Sequence, residues 1–173
     1  MNKISTRSIW VISDTHFQHA NIIKYCDRPF KTVDEMNSAM ITAWNETVKD
    51  GDIIYHLGDV YTGEPPTFLH KLKGRKRLIL GNHDNGKDSR LYNNFQKIMM
   101  WRMFPEFGLL FTHVPVHEST LYRGKTGNEK NPTMLKNIHG HIHAQKSPKG
   151  PYQCVCVEQT NYTPVHIEDL RIK

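Results

Sequence analysis

Ile9-Trp10-Val11-Ile12-Ser13-Asp14-Thr15-His16 is a run of four apolar residues that stops abruptly at polar ones. So short a run, rich in β-branched and aromatic side chains, suits a buried strand, because a helix needs roughly ten or more residues to bury a face. The pattern recurs along the chain. Ile53 to Leu57 runs into Gly58-Asp59, and Arg77 to Leu80 into Gly81-Asn82-His83-Asp84. Gly108 to Thr112 ends at His113, with Pro115 closing the strand, and Ile138 to Ile142 carries Gly140-His141-Ile142-His143. Helical signals lie between these strands. Thr32-Val33-Asp34-Glu35 is a capping box, and Met36, Met40, Trp44 and Val48 recur at four-residue steps, which predicts an amphipathic helix from Thr32 to Lys49 stopped by Gly51. Pro65-Pro66 opens a short helix through Leu72, and Leu91 to Gln96 ends another. Lys97 to Met103, Gln153 to Val157 and Val165 to Ile167 complete the expected strands. Strands alternating with helices predict an α/β architecture with helices covering sheet faces.

The 173 residues contain no repeat, low-complexity tract or Ser/Gly linker, so a single domain spanning 1–173 is expected. No apolar run approaches the roughly 18 residues of a membrane helix. Met1 to Arg7 leads into no signal-peptide core, which makes a cytoplasmic protein without a membrane partner the expectation. Three cysteines, with Cys154-Val155-Cys156 off the C-x-x-C spacing, read as buried thiols in a reducing compartment. The formal charge of +6 favours anionic partners, phosphate compounds or nucleic acid, without choosing among them. The basic run Lys71 to Arg77 has no interleaved aromatics and reads as a solvated face, so nucleic acid is not the favoured partner. Glu118 to Pro132, with Arg123, Lys125 and Lys130, reads as a long surface loop in which specificity would reside. Nothing in the sequence specifies an oligomeric state.

Eleven histidines are too many for packing alone. Several sit in the polar tips, at the carboxyl ends of strands, where loops of an α/β sheet converge on ligands. Asp14/His16 and His141/His143 are i,i+2 pairs, which strand alternation can aim to one side. With Asp59, Asn82 and His113 they form a nitrogen and oxygen donor set suited to Mn, Fe, Ni or Zn more than to Ca or Mg. Seven donors exceed one ion and suffice for two if Asp59 bridges. His56, His117 and His139 flank these donors in sequence, so alternation sends them to the opposite face, in supporting or packing roles.

The order D-x-H, G-D, G-N-H-[DE], H and G-H-x-H, running from Asp14 to His143, resembles the calcineurin-like metallophosphoesterases. The resemblance implies an α/β/β/α four-layer sandwich of two mixed sheets and two divalent metal ions, with Mn first and Ni, Fe or Zn as alternatives. It implies that Asp14, His16 and His143 hold one ion, that Asn82, His113 and His141 hold the other, and that Asp59 bridges. His83 would be the catalytic histidine and Asp84 would orient it. Departures narrow the class. Where the family's protein phosphatases read G-D-x-V-D-R-G, this chain reads Gly58-Asp59-Val60-Tyr61-Thr62-Gly63-Glu64, without their substrate-reading Asp and Arg. Nor does the length leave room for the capping domain of the double-strand-break nucleases. What remains resembles the small phosphodiesterases of bacteria and their phages. The expected function is hydrolysis of a small phosphodiester or nucleotide-like substrate by attack of a metal-bridging hydroxide, His83 stabilising charge or protonating the leaving oxygen. A nuclease on DNA or RNA, a small-molecule phosphomonoesterase and a non-catalytic scaffold are the alternatives; the intact set of donors and His83 argue against the last. His19, one turn beyond the first donors, and Arg28, as a phosphate clamp, are the candidate substrate-binding residues.

Overall fold

The computed structural model describes residues 7–123 and 133–171. In chain order its elements are β1 (Ile9–Ile12), α1 (Ala20–Tyr25), α2 (Val33–Thr47), β2 (Ile53–His56), β3 (Arg75–Ile79), α3 (Ser89–Asn94), β4 (Lys97–Met99), β5 (Trp101–Phe104), β6 (Leu109–Thr112), β7 (Tyr122–Arg123), β8 (Thr133–Met134), β9 (Lys136–His139), β10 (Tyr152–Cys154) and β11 (Val165–His166). One sheet has the order β11-β1-β2-β3-β4, with β1 to β4 parallel and β11 antiparallel to β1. The other has the order β10-β9-β6-β5, with β10, β9 and β6 parallel and β5 antiparallel to β6. β7 and β8 form a separate antiparallel pair.

Alternation along the strands builds the layers. Ile12, Ile54 and Leu78 point to one face, against Ile22 of α1, Met36, Met40 and Trp44 of α2 and Leu91 of α3. Their neighbours Val11, Tyr55 and Ile79 point to the other face and meet Leu109, Phe111 and Ile138 of the second sheet. Tyr55, Phe104 and Phe111 cluster between the sheets, with centroids 4.9 to 5.7 Å apart. Leu110, on the far side of β6, packs on Leu121 and Leu135. The architecture is therefore the four-layer sandwich of two mixed sheets. Its last layer is thin, formed by a 3-10 turn over Glu118–Leu121 and the β7–β8 pair.

Local differences from the sequence reading have physical reasons. Thr32 Oγ1 accepts from Glu35 N at 3.1 Å, but the Glu35 carboxylate accepts from Lys31 N at 2.8 Å, so the box closes one residue early. Pro65 to Leu72 forms only a 3-10 turn over Leu69–Lys71, because Leu69 and Leu72, three residues apart, are buried by that tighter winding. Lys97 to Met103 is two strands: the chain breaks at Met100, β4 finishing the first sheet and β5 edging the second. Cys26, Cys154 and Cys156 are free thiols, the last two buried. Lys125 and Lys130 lie outside the described residues. Among the described residues, no helix is long and apolar enough to cross a membrane.

Parallel pairing within each sheet brings the carboxyl ends of β1, β2 and β3 together, and likewise those of β6, β9 and β10. A parallel bridge from Ser13 to Cys156 joins the two sheets at that rim. Every polar tip singled out in the sequence projects there.

Candidate metal centre

Five donor residues at this rim have left-handed backbones: Asp14 (φ 58°), His16 (φ 47°), Asp59 (φ 57°), His141 (φ 71°) and His143 (φ 50°). Such conformations cost about 1–3 kcal/mol each outside glycine and persist only where the surroundings enforce them. Here the enforcement is backbone pairing between tips. Asp14 N donates to Gly58 O at 3.0 Å, His16 N to Asp59 O at 3.0 Å, and Gly140 N to His113 O at 2.8 Å. The tips approach so closely that only glycine fits at three points. A Cβ on Gly58 would strike the Gly81 backbone and the His113 ring, one on Gly81 the Asp59 carboxylate, and one on Gly140 the carboxylate of Asp14.

Both carboxylates are held by one oxygen and offer the other. Asp14 Oδ2 accepts from the Ser13 hydroxyl at 2.5 Å, His141 N at 3.0 Å and the Cys156 thiol at 3.2 Å. Its Oδ1 is buried without a partner. Asp59 Oδ1 accepts from His83 N at 2.8 Å, while Oδ2 lies 3.5 Å from His16 Nε2 and 3.5 Å from His113 Nε2. The imidazoles are oriented in the same way. His113 Nδ1 donates to Leu57 O, 2.7 Å away, which turns Nε2 toward Asn82 and Asp59. His143 Nδ1 lies 3.0 Å from Glu158 Oε1. Burial desolvates the His143 ring, but the bond to Glu158 and its charge more than offset this and raise its pKa. His16 Nε2 is buried and unpartnered, and burial, reinforced by the charge of Arg28, drives its pKa down to about 2, keeping the ring neutral. Asn82 Oδ1 sits 2.8 Å from both His113 Nε2 and His141 Nδ1.

These donors fall into two groups, Asp14-His16-His143 and Asp59-His113-His141, each with donor atoms within 4.8 Å of one another. A neutral His16 ring, carboxylates with one bare oxygen and the two orphaned buried atoms Asp14 Oδ1 and His16 Nε2 are what divalent ions would satisfy, so the residues fit them.

The remaining candidates divide. His83 is exposed, its ring centroid 5.5 Å from that of His16. His19 is half-buried, 5.6 Å from His16 by ring centroids, and lines a cleft of about 410 Å³ with Tyr25, Ile142, His83 and His143. On the other side of His83 a cleft of about 420 Å³ is lined by Tyr61, Thr62, Asn85 and Arg90. Asp84 departs from its expected role of orienting His83. Its oxygens accept from Asp59 N at 2.9 Å, Gly81 N at 2.8 Å and Val60 N at 3.0 Å, so it pins two tips together. Arg28, expected to clamp a phosphate, is only 3% exposed and spends its guanidinium on Asp14 O, Thr15 O and Glu158, out of reach of a substrate. His56 and His139 are buried beneath the donors, whereas His117 is exposed and caps the turn at Glu118.

Sequence reasoning missed Ser13, Cys156 and Glu158. Ser13 stood inside the first motif, but the other two lie beyond the last motif, and the β10–β9 pairing and the Ser13–Cys156 bridge carry them to the site.

Residues 8–157 match the model of the calcineurin-like phosphoesterase superfamily domain. The chain belongs to that superfamily. Its members are metal-dependent phosphoester hydrolases, and among its described residues this phosphoesterase carries three groups able to hold a metal ion: the two above and Cys26-His143-Glu158, which shares His143. It is 38% identical over 186 residues to the uncharacterized protein MJ1445 of Methanocaldococcus jannaschii, covering 98% of this chain and 92% of that one. It is 30% identical over 161 residues to the Gene 66 protein of Mycobacterium phage D29, covering 80% and 79% of the two chains. A crystal structure of the Aquifex aeolicus protein of unknown function AQ665 superposes with a TM-score of 0.71 at 25% identity, covering 95% of this phosphoesterase and 98% of that chain.

Proposed function

We propose that this phosphoesterase is a dinuclear phosphodiesterase acting on small, nucleotide-like diesters. The observation that carries the reading is Asp59 Oδ2, equidistant at 3.5 Å from a histidine of each donor group while its sister oxygen is tied to His83 N. One carboxylate oxygen so placed is suited to bridge two ions. Asp14, His16 and His143 would hold one, and Asn82, His113 and His141 the other, with Mn the first choice and Ni, Fe or Zn the alternatives. When bound, the ions supply positive charge against the phosphoester anion and a nucleophile from water at neutral pH. The chain's own contribution comes from the rim. His83, exposed beside both clefts, is placed to stabilise developing charge or to protonate the leaving oxygen, with His19 against the substrate. Two clefts flanking His83 suit a phosphate carrying two substituents, which favours diester over monoester. The basic run at Lys71 to Arg77 lies before and in the first half of β3, toward the end opposite the rim that carries the donors, which disfavours the nuclease reading.

The test is hydrolysis of bis-p-nitrophenyl phosphate against p-nitrophenyl phosphate by stripped protein resupplied with Mn, Ni, Zn, Mg or Ca. We expect metal-dependent cleavage favouring the diester, and a fall of about 10²- to 10⁴-fold in His83→Ala with metal content unchanged. Equal turnover by His83→Ala would remove the histidine from the chemistry, and a monoester preference would overturn the diester reading.

A further inference from the structure

We infer that the buried Arg28–Glu158 pair positions His143 and the Asp14–Thr15 turn for one ion of the two, an inference that rests on the two-ion reading above. The donors of that half come from different sheets, Asp14 and His16 following β1 and His143 following β9. The Ser13–Cys156 bridge and the bond from His141 N to Asp14 Oδ2 tie the two tips at their base. The pair adds a second tie, from the outer side of His143 to the Asp14–Thr15 turn. From Arg28, Nη2 donates to Asp14 O at 2.8 Å and Nη1 to Thr15 O at 2.9 Å, gripping the turn that contains two left-handed donors. From the same guanidinium, Nε and Nη2 donate to Glu158 Oε1 at 2.9 and 2.7 Å, and Oε1 in turn lies 3.0 Å from His143 Nδ1.

Three arguments make this a positioning device and not incidental packing. The side chains of Arg28 and Glu158 are 0% and 5% exposed, and a buried ion pair is poor at stabilising a fold because desolvation offsets its attraction. Its geometry is also directional: a planar fork reaches two carbonyls and a carboxylate at once, which an ammonium cannot do. Finally, a carboxylate on the Nδ1 side fixes an imidazole's tautomer and makes Nε2 a better donor. Among the described residues the other half has no such arrangement: His113 Nδ1 faces the neutral Leu57 carbonyl and His141 Nδ1 the neutral Asn82 amide oxygen. The clamp therefore acts on one ion and not on both. Arg28 and Glu158 touch no substrate, and work through the residues they hold.

Calorimetric titration of metal-free protein with Mn²⁺ tests this. Wild type should bind two equivalents. Glu158→Gln, which keeps the shape and removes the charge, should weaken one equivalent by about 10- to 100-fold and leave the other within about twofold. Arg28→Lys should weaken the same equivalent, and melting of the metal-free variants should report an intact fold. An independent readout needs no variant: in wild type loaded with diamagnetic Zn²⁺, long-range ¹H–¹⁵N correlation should show His143 protonated at Nδ1. Both equivalents unchanged in the variants, both weakened together, or a proton on Nε2 would each overturn the clamp. Wild type that binds fewer than two Mn²⁺ would instead overturn the two-ion reading, and the clamp with it.

Discussion

His56 donates nothing to the rim, yet two of the tips rest on it. Gly58 N donates to its Nδ1 at 3.2 Å, so the proton is on Nε2, which donates to Thr15 Oγ1 at 2.9 Å, and that hydroxyl donates to Val60 O at 2.8 Å. The first of these bonds requires an unprotonated Nδ1 and so a neutral ring, and burial pushes its pKa down to about 3. An unfolded histidine titrates near 6.5, so between about 6.5 and 3 the unfolded chain holds the extra proton and stability falls as the pH falls. His16, at about 2, acts in the same sense in the absence of ions, while His143, with its raised pKa, acts in the opposite one. In chelated protein the melting temperature should therefore drop as the pH is lowered below about 6.5, and His56→Gln should flatten the slope. An unflattened slope would assign the effect to other groups. Alternation along β2 had foretold the supporting place of His56. No local signal foretold that Asp84 would spend its carboxylate on three amides, because backbone N–H groups look alike in any sequence.

Helix α2 shows what local chemistry does specify. Its start depends on Thr32, whose hydroxyl satisfies Glu35 N, and its inner face, Met36, Met40 and Trp44, is fully buried. Thr32→Ala should cost about 1 kcal/mol and lower the melting temperature by about 2–4 °C without changing metal content, a comparison that differential scanning calorimetry can make. Strand positions were legible for the same reason: alternation and a polar stop are written in consecutive residues. Partner choice is not. Lys97 to Met103 has unbroken strand character, and nothing within it marks Met100 as the place where the chain leaves one sheet for the other. Glu158 was illegible for a related reason, since its partner Arg28 lies 130 residues away and the bond exists only after both sheets have formed.

At the scale of the molecule, the donors Asp14, His16, Asp59 and Asn82 follow strands of the first sheet, and His113, His141 and His143 follow strands of the second. Ions held between them would therefore fasten the two halves of the sandwich together. At a free ion concentration 100-fold above Kd, each should add about 2.7 kcal/mol. For a chain of this size that is about 5–10 °C in melting temperature per ion, recoverable by chelation. A Mn²⁺ titration followed by thermal melting reads this directly, and no shift would mean that the donors hold no ion in the folded state. The motif order made the site readable as a set of residues, while the sheet pairing that makes it a junction required the fold. The left-handed donors have a wider implication. A bare main-chain trace, stripped of every side chain, would still mark five of this molecule's donor positions as a knot of improbable torsions at one rim.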